Sequence, residues 1–235
     1  MPGTRPNLRH RLRRLTGRAD AFTAEPGLEA IYRDLFRREL TLLGEEDRFF
    51  PTGGAANYSL LYLILRIGIE FRPASVLDIG AGQSTLLWAM LRRRGLVGDV
   101  LTLENDAEWG ARIAAQVTHE VMVTPLRAQT VGRHRTMTYD WDAARAGRSF
   151  DVMVCDGPRG TPQHSRCGIL SMLDGLPADF ALVVDDAERD GEQDTIAAIH
   201  AGLQAGGIDY AVGVVRAAKT QAVFAGGRFL PATFL

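Results

Sequence analysis

Lysine, cysteine and long apolar runs are scarce in this 235-residue chain, and each scarcity removes a class of protein. The two cysteines, Cys155 and Cys167, have neither CxxC spacing nor the pattern of a disulfide framework. The N-terminus opens on charges and lacks the apolar segment of a secretory signal, so a cytoplasmic protein is expected. The longest apolar stretch, Tyr58 to Ile69, is interrupted by Arg66 and falls short of the roughly 20 residues a membrane helix needs, which argues against a span. Charge of one sign is missing too. The 27 basic and 28 acidic residues leave a net of −1, too little to draw the whole molecule to nucleic acid or an anionic leaflet. Lys219 is the sole lysine among the cations, a bias attributed to genomic base composition. With 25 glycines and 10 prolines in 235 residues, about 15%, the chain lies below the roughly 25–30% that marks low complexity.

What is present suits one large α/β domain: 46% hydrophobic residues can bury a real core at this length. The first eighteen residues carry Arg5, Arg9, Arg11, Arg13, Arg14 and Arg18 and no acid. They read as a frayed cationic tail, with peripheral docking on an anionic surface as the alternative. From Leu28 to Leu43 the apolar residues recur at three and four and predict a helix that caps a core. Pro51, Gly53 and Gly54 break the chain, and Tyr58 to Ile69 predicts a second, more buried helix ending before Pro73. Residues 1–72 are thus an arm and helical cap, and 73–235 the main unit of a single structure.

From Ser75 onward, short β-branched runs alternate with helical stretches, the pattern of a parallel sheet covered on both faces. Strands are expected at 75–79, 99–104, 120–124, 150–156 and 180–186, with helices at 84–94, 107–117, 165–173 and 191–203 between and after them. The runs at 209–215 and 219–226 read as an antiparallel hairpin.

The strongest local signal is VLDIGAGQST, residues 76–85: an apolar strand, an acid, two glycines one residue apart and a helix start. Gly80 and Gly82 allow a tight turn and close approach of a ligand. A dinucleotide fingerprint would carry a third glycine where Thr85 stands, and Asp78 at the strand end suits a cationic ligand better than a phosphate, which points to a ligand with an amine and away from a nicotinamide oxidoreductase. Glu104 ends the second strand, where a carboxylate can accept both hydrogen bonds of a ribose diol.

VLDIGAGQST with LTLEND resembles the first two motifs of class I S-adenosylmethionine-dependent methyltransferases, from about Ser59 to the C-terminus. The resemblance implies a Rossmann-like, doubly wound seven-stranded sheet whose last strand is antiparallel. It also implies Gly80, Ala81 and Gly82 along the methionine portion, Asp78 near its amino group, Ser84 near its carboxylate and Glu104 with Asn105 at the ribose. Tyr139 and Asp140, in TMTYDW, fall where that family contacts adenine.

Asp156 at the end of the fourth strand and Asp185–Asp186 at the end of the fifth should converge in the crevice at the carboxyl ends of the strands. Packed without a cation they would repel; a hard divalent ion such as magnesium would neutralise them. The arrangement is similar to the catechol-type, cation-dependent O-methyltransferases, where an Asp and an Asp-Asn pair hold magnesium, and the DGPRG run followed by His-x-Arg is more loosely similar to glycan methyltransferases. Arg159 stands near that family's basic Lys; as a permanent cation it can pair with an anion but not take a proton. His164 or Asp156 could accept the proton of a hydroxyl acceptor. The expected function is methyl transfer to an oxygen of a small molecule or saccharide, assisted by a divalent metal held by Asp156, Asp185 and Asp186, with N-methylation without metal, or an adenosine-ligand binding module, as alternatives. Nucleic acid is disfavoured as a partner, and a homo-oligomer is left open.

Overall fold

β-branched and apolar runs from Ser75 onward build a seven-stranded sheet in the computed structural model, which describes residues 20–52, 54–131 and 133–235. The cationic arm of residues 1–18 and Gly53 of the chain break lie outside the described residues. The strands are β1 (Ser75–Ile79), β2 (Asp99–Glu104), β3 (Glu120–Val123), β4 (Arg127–Val131), β5 (His134–Thr138), β6 (Val152–Cys155), β7 (Phe180–Val184), β8 (Ala211–Arg216) and β9 (Thr220–Gly226). The sheet runs β3-β2-β1-β6-β7-β9-β8, and β9 is antiparallel to both neighbours while the other pairs are parallel. The seven strands read from the sequence are all present, and the last two form the expected hairpin. Between β1 and β6 the strand order reverses, the switch point at which open α/β sheets hold ligands.

The helices are α1 (Glu29–Leu42), α2 (Tyr58–Phe71), α3 (Gln83–Arg93), α4 (Ala107–Ala114), α5 (Trp141–Arg145) and α6 (Asp190–Ala205). Alternate strand residues divide between two cores, as the period of two requires. Val76, Val152, Val154, Val183 and Val223 pack under α1, α2 and α3. Leu77, Ile79, Leu103, Met153, Cys155 and Leu182 pack on the opposite face, against Trp141 of α5 and Ile196 and Ile199 of α6. Leu60, Leu61, Ile64 and Ile67 of α2 are fully buried in the first core, so the helical cap shares its interior with the sheet. Asn57 begins α2 by accepting from the Leu60 amide, and Arg72 closes it in the left-handed region one residue before Pro73. Among the described residues, no helix is long and apolar enough to cross a membrane.

Several elements differ from the sequence reading, among them the short helix α5. The segment expected as a helix over 165–173 is a 3-10 helix at Cys167–Gly175. Its start is fixed by Arg166 in the left-handed region and by a buried cysteine–threonine contact, Cys167 Sγ to Thr195 Oγ1, at 3.1 Å. Arg127–Val131 and His134–Thr138, to which the sequence reading assigned no element, form the antiparallel ribbon β4–β5, which lies against that 3-10 segment.

Candidate functional site

The loop after β1 is shaped from beneath by a buried carboxylate. Thr85 donates from Oγ1 to Asp78 Oδ2 at 2.6 Å and accepts from the Gly82 amide at 3.0 Å, so one threonine ties the strand end to the start of α3. Thr102 of β2 adds a longer bond to the same oxygen, 3.3 Å. Burial pushes the Asp78 carboxyl up to about 6, against the hydroxyl bonds that favour its charged form. Gly80 turns the chain with φ 100°, and a Cβ there would lie 2.9 Å from the carbonyl oxygen of Asp156. The close approach of these two strand ends therefore requires glycine at position 80.

Above this loop a cavity of about 470 Å³ opens at the switch point. It is lined by Gly80, Ala81 and Gly82, by Ser84, Glu104, Asn105 and Trp109, and by Tyr139, Asp156, Gly157 and Arg159. Phe50, Thr52, Ala55 and Ala56, from the segment before α2, complete the lining. A Cβ on Gly82 would meet nothing within 4 Å, so that position leaves open space on the cavity side. Glu104 holds the rim rigid: its Oε2 accepts from the Ala81 amide at 3.0 Å and its Oε1 from the amides of Asn105 and Asp106 at 2.6 and 2.8 Å. The Trp109 indole donates to the Ala81 carbonyl at 2.7 Å, and the Tyr139 hydroxyl to Asn105 Oδ1 at 3.4 Å. Burial raises the Tyr139 phenol, so it stays a neutral donor.

Beside the cavity the three aspartates meet as expected, with carboxylate atoms within 4.8 Å of one another. Asp156 reaches the cavity wall, whereas Asp185 and Asp186 are buried behind it. Burial first, and the neighbouring Asp185 second, hold the Asp156 carboxyl well above its ordinary range.

Cations already occupy this cluster. Lys219 Nζ lies 3.2 Å from Asp185 Oδ2 and 3.3 Å from Asp186 Oδ1, and donates to the carbonyl of Ala55 at 3.2 Å. Arg166 NH2 lies 2.9 Å from Asp186 Oδ2 and 3.3 Å from Asp156 Oδ1; Arg189 lies 2.7 Å from Asp186 Oδ2. Gln221 donates to Asp185 Oδ1 at 2.7 Å, and Glu192 stands behind Arg166 at 3.7 Å. Burial alone would pull the Lys219 ammonium down, but Asp185, Asp156 and Asp186 outweigh it and raise it, so it stays charged. A divalent ion ligated by Asp185 Oδ2 and Asp186 Oδ1 would need the two oxygens that the ammonium faces at 3.2 and 3.3 Å. As arranged, the donor set does not fit such an ion.

The cavity thus brings together Gly80, Ala81, Gly82, Ser84, Glu104, Asn105, Tyr139, Asp156 and Arg159. Three other candidates lie elsewhere. Asp78 is fully buried under the loop rather than on the wall. Asp140 accepts from the Ala143 amide as the cap of α5 and pairs with Arg127, because an aspartate just before a short helix serves its free amides. His164 stacks on His134 of the ribbon, ring centroids 3.6 Å apart, and its backbone amide donates to Asp194. Sequence reasoning missed Trp109, Arg166 and Lys219. Arg166 ends the His-x-Arg run and Lys219 is the one lysine in a chain of arginines, but neither was given a role.

No family model matches the chain, and no curated protein matches it by sequence. Solved structures do resemble it. An O-methyltransferase from Bacillus cereus in complex with SAH is 14% identical, with 83% of this chain and 90% of that one covered at a TM-score of 0.49. An SAH-bound methyltransferase from Podospora anserina is also 14% identical, covering 97% of this chain and all of its own at 0.49. A Streptococcus mutans protein provisionally assigned as a SAM-dependent methyltransferase reaches 0.52 at 11% identity, over 74% of this chain and 50% of that one. With the strand order and the antiparallel β9, the likeness to this last structure shows that the chain has the Rossmann-like class I methyltransferase fold.

Proposed function

We propose that the chain is a methyltransferase that uses S-adenosylmethionine and methylates an oxygen of a small molecule or saccharide. The observation that carries this reading is the cavity at the switch point, lined together by Gly80, Gly82, Ser84, Glu104, Tyr139 and Asp156. The cofactor would supply a methyl group on a sulfonium. Around it, Gly82 leaves room for the methionine portion, Ser84 at the start of α3 suits its carboxylate, and Glu104 suits the ribose diol. Trp109 and Tyr139 offer apolar faces for the base. Displacement at a methyl group is in line, so the protein's work is alignment of the acceptor and removal of its proton. Asp156 is the group for that proton: it is the one carboxylate of the cluster on the cavity wall, and its raised affinity for protons suits a base. Arg159, exposed at the rim, can hold an anionic acceptor.

A magnesium-assisted reaction has the convergence of the three aspartates in its favour and the three cations among them against it, so we read the transfer as metal-independent. An N-methyltransferase would share the cofactor pocket and is separated by its acceptors. A cytoplasmic enzyme acting on soluble acceptors follows from the reading.

Calorimetric titration with S-adenosylhomocysteine tests it. Binding should be equal with magnesium and with excess chelator. Gly82→Leu keeps an extended backbone but fills open space on the cavity side, so it should fold as the parent and weaken binding at least about tenfold, about 1.4 kcal/mol. His164→Ala should leave binding unchanged. Absence of binding in the parent protein sinks the assignment.

A further inference from the structure

We propose that the ammonium of Lys219 takes the place of a divalent cation among Asp156, Asp185 and Asp186, and so makes the end of the sheet independent of metal. The ammonium donates to Asp185 Oδ2, pairs electrostatically with Asp186 Oδ1 at 3.3 Å and donates to the carbonyl of Ala55. Two of these are oxygens an ion bridging the aspartates would ligate. The third is on the segment before α2 that lines the cavity, so the lysine ties the carboxyl end of β7 to the cap. Gln221 and Arg166 hold the outer oxygens of the same carboxylates and fix them in this orientation. Lys219 stands one residue before β9, in the turn of the terminal hairpin, which delivers its side chain over the ends of the parallel strands. It is a positioning residue: it acts on the cavity through Ala55 and the aspartates.

This inference deepens the metal-independent reading above, but its test does not require cofactor binding. The probe is Mn²⁺ on the full chain without cofactor, followed by the paramagnetic signal of the free ion and by thermal unfolding in Mn²⁺, Mg²⁺ and chelator. The parent protein should take up no Mn²⁺ and unfold at one temperature in all three. Lys219→Met removes the ammonium and leaves the aspartates facing one another. It should unfold several degrees lower in chelator, take up one Mn²⁺ and recover most of the loss on adding it. Asp185→Asn in the Lys219→Met background should abolish that uptake, which a merely structural lysine would not predict.

Uptake of Mn²⁺ by the parent protein that Asp185→Asn abolishes would overturn the inference, and this arm remains decisive if Lys219→Met does not fold. A folded Lys219→Met variant that stays blind to both ions would overturn it as well. Failure of S-adenosylhomocysteine to bind, with the Mn²⁺ results as expected, would strike the cofactor reading alone.

Discussion

Arg166→Met should lower the unfolding temperature by roughly 6–20 °C, the largest loss we expect from one substitution. Arg166 is 5% exposed, and its guanidinium serves both buried ends of the central strands. It donates to the carbonyls of Pro158 and Asp185 at 3.1 Å and to Asp186 Oδ2 at 2.9 Å, and it lies 3.3 Å from Asp156 Oδ1. Methionine retains most of the apolar stem but none of the five donors, so carbonyls and carboxylates remain in a poorly solvated interior without their partner. Removing one side of a buried ion pair costs about 3–5 kcal/mol, and a domain of this size loses roughly 2–4 °C per kcal/mol. Arg166→Lys should fall between, since a lysine restores the charge but not the planar fork that bridges two strand ends. Arg159→Met, at the exposed rim of the cavity, should change stability by no more than about 0.5 kcal/mol. Equal unfolding temperatures for Arg166→Met and Arg159→Met would mean that the aspartates do not depend on this arginine.

Arg166 also shows where sequence reading stopped. The strands were legible because their side chains are buried on both faces, which leaves continuous apolar runs such as VMVC and FALVV. The glycine loop was legible because a turn at φ 100° against a neighbouring carbonyl restricts the residue type. The ribbon β4–β5 was not: RAQTV and HRTMT are short and mostly solvent-facing, and their pairing is stabilised by contacts that no local pattern announces. The acid cluster was legible as three carboxylates at strand ends, but its neutralisation was not. Arg166 and Lys219 reach it from loops 10 and 34 residues away from their aspartate partners Asp156 and Asp185 along the chain, a distance only the fold closes. Lys219 was conspicuous in composition, yet its meaning depended on the hairpin turn that carries it. Asp78 was assigned to the ligand because strand-end acids often face one; here the period of two directs it into the covered face beneath α3, where Thr85 meets it.

That burial gives the second large effect. The Asp78 carboxyl is completely covered, its Oδ1 has no hydrogen-bond partner among the described residues, and its proton is held up to about 6 against an ordinary 3.8. A carboxyl raised on folding binds its proton more tightly in the native than in the unfolded state. Stability from this group is therefore intact below pH 3.8, declines as pH rises through the interval to about 6, and is flat above it. At 1.36 kcal/mol per unit the full loss is about 3 kcal/mol. Asp78→Asn removes the charge at every pH and retains an oxygen for the Thr85 hydroxyl. The difference in unfolding free energy between variant and parent should then move in the variant's favour by about 2 kcal/mol from pH 4.5 to 7.5, with most of the change complete by pH 6.5. Taking the difference cancels the titration of all other carboxyls, including Glu45, which Arg94 and Arg93 hold low and which acts in the opposite sense. Denaturant unfolding of both proteins across that range measures it. A difference that does not vary with pH would mean that Asp78 ionises as an ordinary aspartate, solvated through its open oxygen, and that the loop above it is held by a carboxylate at no electrostatic cost.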